Sequence, residues 1–312
     1  VIDLASRLEE LSPAKRELLL RQLKKLKSDA PRPVIRPRVE RLADFPLSYA
    51  QQRLWFLDQL EPGNPFYNLP GAVRLRGPLD EPCLGQALSG VVARHESLRT
   101  GFPSIQGKPV QRVGTPMPFS LPVVDLTGLP EEQRRPAGRR LALAAVRRPF
   151  DIATGPLLRA VLLRLAPEER ILAFAVHHIV ADGWSLRILI RELTSLYQAF
   201  LQGMPSPLAA LPVQYADYAV AERQWLDGEA LAPQLEFWRR QLADLPGVLE
   251  LPADRPRPEV QTFRGARQAV LLSAGTVAAL RELGQTEKAT PFMVLLAAFA
   301  ALLHRESGSE DI

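Results

Sequence analysis

The 312 residues can bury a large core, and their number favours two lobes over one. With 46% hydrophobic and 23% charged residues and no apolar stretch long enough to span a bilayer, the composition is that of a soluble globular chain, so no membrane partner is expected. The net charge of +5 lies wholly in residues 1–41, which hold 11 Lys/Arg against 6 Asp/Glu; the rest holds 28 of each, which argues against a nucleic-acid groove across the body.

In chain order, "LSPAKRELLLRQLKKLK" reads as a helix, with Ser12 as cap, Pro13 in the first turn and Leu18, Leu19, Leu23 and Leu26 as an apolar stripe. Ser12 and Lys15 also match the S-x-x-K pair of penicillin-recognising enzymes, but S-D-N and K-T-G partners are absent, so the pair reads as a cap. Residues 1–28 are thus an N-terminal helical segment and residues 29–45 a Pro/Arg-rich linker. "SYAQQRLWFLDQL" predicts a helix with Leu54, Leu57 and Leu60 toward a core, and "GAVRLRG" alternates as a half-buried strand does. Residues 82–94 predict a helix, and "FPSIQGKPVQRV" a hairpin turning at Gln106-Gly107. "LLRAVLLRL" and "ILAFAV" predict two strands, the second apolar throughout and so covered on both faces. "SLRILIRELTSLYQAFLQG" repeats Leu186, Leu189, Ile190, Leu193, Leu196, Tyr197 and Phe200 at helical spacing and stops at Gly203. Aromatic-rich helices follow over 213–244, then a Pro/Arg connection, a strand over Gln268–Leu272, and helices over 276–285 and 291–304. The chain starts at Val1 without Met and stops just past an apolar helix, so it reads as a piece of a longer one. The N-terminus lacks the charged head and apolar core of a signal peptide. Cys83 stands alone, which excludes an internal disulfide framework, and a reducing, cytoplasmic compartment is expected.

Two of the four histidines sit together in "FAVHHIVADGWS" (174–185), at the turn from a central strand into a helix, where sheet-and-helix folds assemble sites. An imidazole with a carboxylate nearby suits proton transfer or the positioning of a nucleophile. Asp182, four residues after His178, can orient the loop, and Gly183 lets a main-chain N–H approach a substrate. A pair of core histidines at a strand end fits the same pattern. A metal site has little support, since His95 and His304 lie outside ligand spacing. No Walker loop, Rossmann glycine pattern or G-x-S-x-G elbow occurs. The residue chemistry alone stops at an acyl transferase.

"HHIVADGWS" resembles the HHxxxDG signature of condensation domains of nonribosomal peptide synthetases. "SYAQQRLWFL" (48–57) resembles their SxAQxRLWxL motif, "RHESLRTGF" (94–102) matches RHExLRTxF, and "YADYAVA" (215–221) resembles YxDYAVW with Ala221 in place of tryptophan. The resemblance covers about residues 10–312, and the family's later motifs would lie beyond Ile312.

It implies an α/β (α+β sandwich) fold, a chloramphenicol-acetyltransferase-like pseudodimer. Its complete N-terminal lobe would be residues 46–212, followed by crossover helices and connection (213–266) and the start of a truncated C-terminal lobe (267–312). Donor and acceptor peptidyl carrier domains would bring acyl and aminoacyl thioesters on 4'-phosphopantetheine into a tunnel between the lobes, with an adenylation domain as neighbour and no cofactor or metal of the domain's own. Amide formation would use His178 as the catalytic residue. His177 would shape the turn, Asp182 would fix the loop through an ion pair, Gly183 would meet the developing oxyanion, and Trp184 would pack at the tunnel wall. Arg264 is a secondary candidate as partner of Asp182, although the family's arginine is expected beyond Ile312. Arg99, with His95 and Glu96, is a secondary candidate that follows a helix end and reads as structural. Heterocyclising relatives carry aspartates for the histidine pair and epimerising ones Ser-Trp after the turn; Trp184-Ser185 favours condensation, of the type joining two L residues. The alternatives are a stand-alone HxxxD acyltransferase and a non-catalytic docking fragment, since with half the tunnel missing these 312 residues alone are expected to be inactive.

Overall fold

Nine-residue strands at the centre of the chain organise everything around them. The computed structural model describes residues 34–37, 44–227, 230–245, 247–256, 258–259, 265–266 and 268–312; the N-terminal helical segment, most of the Pro/Arg linker and Arg264 lie outside the described residues. The chain divides into two units, Val1–Leu231 and Ala232–Ile312.

In the first unit the main sheet has the order β1-β8-β7-β6, from β1 (Asn68–Arg76), β6 (Val123–Asp125), β7 (Leu158–Ala166) and β8 (Glu169–His177). β8 is antiparallel to both neighbours, pairing Asn68 with His177 on one side and Leu158 with Val176 on the other, while β6 joins β7 in parallel. Because side chains alternate along a strand, β8 feeds both faces. Ala173 and Ala175 face one side, with Leu54 from α1 (Tyr49–Leu60) and Val146 from α3 (Glu131–Arg147). Leu172 and Val176 face the other, with Leu88 from α2 (Glu81–Arg94) and Leu196 from α4 (Gly183–Leu201). The continuous apolar run of β8 is thereby explained: it is covered twice.

Short elements fill the gaps. β3 (Ser104–Ile105) and β4 (Lys108–Pro109) form the expected two-residue hairpin, with Gln106 and Gly107 both at positive φ, 51° and 78°. β2 (Thr100–Gly101) and β5 (Arg112–Val113) pair beside it. In α1 the core face is narrower than the spacing suggests, for Leu54 is buried but Leu60 is 61% exposed. α3 has no counterpart in the sequence reading. It carries Pro136 and buries small residues, Ala137 and Gly138, where a Cβ on Gly138 would come 3.1 Å from Leu165.

The first unit runs on past residue 212 to include α5 (Tyr215–Leu226). The Tyr215 hydroxyl meets Ser48 Oγ at 3.0 Å, Tyr49 N–H donates to Glu222 at 2.8 Å, and Arg223 Nε donates to Leu47 O at 2.8 Å. At its start Gln214 Nε2 donates to Arg94 O at 3.0 Å, the last residue of α2.

The second unit contains α6 (Leu231–Gln241) from its second residue on, α7 (Ala274–Thr286) and α8 (Pro291–Ser307). α7 and α8 meet through Gly284, where a Cβ would lie 3.4 Å from Val294. The strand expected over Gln268–Leu272 is not formed. A strand needs a neighbour, none pairs with this segment among the described residues, and Val270 and Leu271 stand 77% and 96% exposed. No single helix among the described residues is long and apolar enough to cross a membrane; α7 and α8 reach that length only as a pair bent by 105°.

Candidate functional site

β8 ends at His177, and its two neighbours hold both histidines by their backbones. His177 N–H donates to Leu157 O at 2.9 Å, and His178 N–H donates to Tyr67 O at 2.8 Å. Strand alternation then sends the two rings opposite ways. His177 turns inward and is 3% exposed, with Phe150 and Tyr67 at ring separations of 6.1 and 6.4 Å. Its Nδ1 accepts the N–H of Ile179 at 3.2 Å, which fixes the neutral tautomer with the proton on Nε2. Burial, with the neighbouring His178 adding to it, pushes the His177 imidazole down from 6.5 to about 4. His178 is exposed, and its ring has no hydrogen-bond partner among the described residues. One ring is sealed inside the fold; the other stands in solvent.

The next four residues complete the bend. Ile179 and Ala181 are buried, and Ile179 O receives Gln51 Nε2 at 3.5 Å. Gln51, 2% exposed, also donates to Gln111 Oε1 at 3.0 Å, and Gln111 Nε2 donates to Pro46 O at 2.8 Å. These two glutamines went unnoticed in the sequence, although Ser48 and Gln51 have the S-x-x-Q spacing of a capping box, and that box is formed.

Asp182 is the N-cap of α4, accepting the Ser185 N–H at 2.8 Å and its hydroxyl at 2.6 Å, while Ser185 Oγ accepts the Asp182 N–H at 3.2 Å. Asp182 thus holds the bend through a reciprocal cap, and its carboxylate makes no salt bridge among the described residues; Arg264, the candidate partner, lies outside them. The bonds from Ser185, with the Trp184 N–H and the nearby His178 adding to them against some desolvation, hold the Asp182 carboxyl below its usual range. Gly183 opens the helix, with open space where a side chain would stand and with its N–H among the first-turn donors that a helix leaves without an internal acceptor. Trp184 is 72% exposed, its ring 6.0 Å from the Arg187 guanidinium, and so does not pack within its unit.

The residues after α2 have structural partners. His95 Nε2 meets Glu192 Oε2 at 2.6 Å and Arg94 Nε lies 3.2 Å from the same carboxylate, which is 5% exposed on α4. Arg99 donates to Gly114 O and pairs with Glu96 at 3.5 Å. A cavity of about 350 Å³ runs behind the bend, lined by His95, Val180, Ala181, Ser185 and Tyr215. Among the described residues no cluster of three His, Cys, Asp or Glu could hold a metal ion.

A sequence model described as Condensation domain matches residues 42–312. One of the linear gramicidin synthase subunits of Brevibacillus parabrevis is 48% identical over 88% of the chain, and phosphinothricin tripeptide synthetase PhsC of Streptomyces viridochromogenes is 44% identical over 99%. The chain spans 5% of the first relative's length and 28% of the second's. Among solved structures, the X-domain from teicoplanin biosynthesis, in complex with OxyB, superposes with a TM-score of 0.78 at 33% identity, over 89% of this chain and 61% of that one. The starter condensation domain of rhizomide synthetase RzmA superposes with a TM-score of 0.67 at 24% identity, over 87% of this chain and 60% of that one, and shares the fold.

Proposed function

The chain belongs to the condensation-domain family, and its relatives are nonribosomal peptide synthetase subunits; from that premise we propose that it contributes the histidine-bearing half of a site that forms amide bonds. The observation that supports this most is the split of the histidine pair, His177 buried and neutral, His178 exposed in the bend before α4 with no ring partner among the described residues. In this reading a donor acyl or peptidyl thioester and an acceptor aminoacyl thioester arrive on the phosphopantetheine arms of two carrier domains, and no resident cofactor is needed.

The acceptor's α-amine attacks the donor carbonyl carbon, a C–N bond forms, the C–S bond breaks, and the donor arm leaves as its thiol. The amine loses one proton in the process. In this reading His178 takes it, or holds the amine in line until the departing sulfur does. The Gly183 N–H, at the positive end of α4, faces the oxyanion that forms on the carbonyl. Bringing two tethered reactants together is worth about 7–11 kcal/mol. General-base help is worth roughly a hundred- to ten-thousandfold, or about 3–5 kcal/mol. Positioning therefore carries the larger share.

The test uses the synthetase module that contains this chain, with both carriers loaded. The expected result is that His178→Ala lowers dipeptidyl-carrier formation, read by intact mass, at least a hundredfold. Unchanged product would remove His178 from the mechanism. A second reading, a docking domain without chemistry, is favoured by the X-domain, which was solved bound to another protein. In that case the wild-type module would form no product and the variant would change nothing.

A further inference from the structure

The first unit contains a second, apolar cavity that the amide-forming site does not use. It has a volume of about 260 Å³ and lies between the sheet and the helices α2 and α4, walled by Leu75 and Phe174 from the strands and by Leu88, Leu189 and Leu193 from the helices. Two polar side chains reach the wall, and each already has a main-chain partner: the Thr194 hydroxyl donates to Ile190 O at 2.8 Å, and the Tyr197 hydroxyl accepts the Asp80 N–H at 3.0 Å. A water molecule held inside needs two to four polar partners, and this wall does not supply them.

The rim differs from the interior. Val73 and Ile190 line the cavity while remaining 37% and 46% exposed, which puts the mouth between β1 and α4. On α4, Arg187 and Arg191 fall three residues before and one after Ile190, so with Ile190 and Thr194 they share one helix face. Both arginines are exposed, and neither pairs with a carboxylate among the described residues. An uncharged hole thus opens beside two cations.

We infer that this cavity binds a medium-length alkyl chain with an anionic head, the chain inside and the head against Arg187 and Arg191. Apolar cavities of about 150 Å³ accept benzene, so the larger volume here suits a chain of roughly eight carbons. The inference does not depend on His178 or on amide formation.

The experiment titrates the 312-residue chain with sodium octanoate at neutral pH, following methyl NMR signals and the heat of binding. Octanoate is expected to bind saturably at one equivalent, with contacts from its methylenes to the Leu189 and Leu193 methyls, and butyrate to bind at least tenfold more weakly. The double variant Arg187→Glu, Arg191→Glu should weaken octanoate at least tenfold and leave n-octanol unchanged. Ala160→Phe, which fills the cavity, should abolish binding of both while the melting transition persists; Leu193→Phe serves the same purpose if Ala160→Phe does not fold. Absence of saturable octanoate binding, methylene contacts to other methyls, an unchanged octanoate affinity in a folded filled variant, or an unchanged affinity in the charge-reversed one would overturn the inference.

Discussion

Acidification should weaken the first unit through one side chain. His177 is 3% exposed, accepts the Ile179 N–H on Nδ1, and is held down to about 4 from the usual 6.5. Above pH 6.5 both folded and unfolded forms carry it neutral, and it makes no difference to stability. Between pH 6.5 and 4 the unfolded chain takes up a proton that the folded one refuses, so stability falls by about 1.4 kcal/mol per pH unit, about 3 kcal/mol in all. A protonated Nδ1 would also lose its bond from Ile179. The assay is urea unfolding followed by circular dichroism at pH 7, 5.5 and 4, on wild type and on His177→Asn. The variant lowers stability at pH 7 but lacks the titrating group, so the gap between the two should narrow by about 3 kcal/mol on going to pH 4. A gap that stays constant with pH would show that His177 is not the group taking up the proton, and the account of its burial would fail.

Other substitutions separate the roles of the bend. Asp182→Ala removes the cap of α4 and should cost about 0.5–2 kcal/mol of unfolding free energy, a loss that Asp182→Asn, which still caps, should largely avoid. Gly101→Ala would place a Cβ 2.5 Å from the carbonyl oxygen of Ala153, a backbone atom that cannot turn aside, and should abolish or severely weaken folding as read by thermal melting. Gly71→Ala would meet the tip of the Phe174 ring at 2.1 Å, but that ring can swing into the cavity beside it, so the expected loss is only about 1–3 kcal/mol.

The parts of the fold that were legible in the sequence are those where one local pattern decides the outcome. "ILAFAV" followed by a helical repeat announced the strand, the bend and α4. Gln106-Gly107 announced a hairpin, because few residue pairs accept two positive φ angles. α3 was illegible because Pro136 and a run of arginines obscure it and because Ala137, Gly138 and the single larger residue Val146 make up its buried face, too little for an apolar stripe. β2 and β5 have two residues each, too few for any period. In the site, the histidine pair and the bend could be read, but which ring is open depends on pairing with Tyr67 and Leu157, both far away in sequence. The cap of Asp182 has the D-x-x-S spacing in the sequence, a signal that a reading of the carboxylate as an ion-pair partner passes over. The resemblance puts Trp184 at a wall between lobes, a contact that no local pattern encodes; within its own unit the side chain stands exposed.

The ties between α5 and the start of α1 also govern where the chain can be cut and rejoined. Ser48, Tyr49 and Leu47 hold Tyr215, Glu222 and Arg223 through hydrogen bonds across more than a hundred and sixty residues. A chimera spliced at residue 212 would take the two sides of these bonds from different parents. A seam after Asp227 would inherit all of them from one.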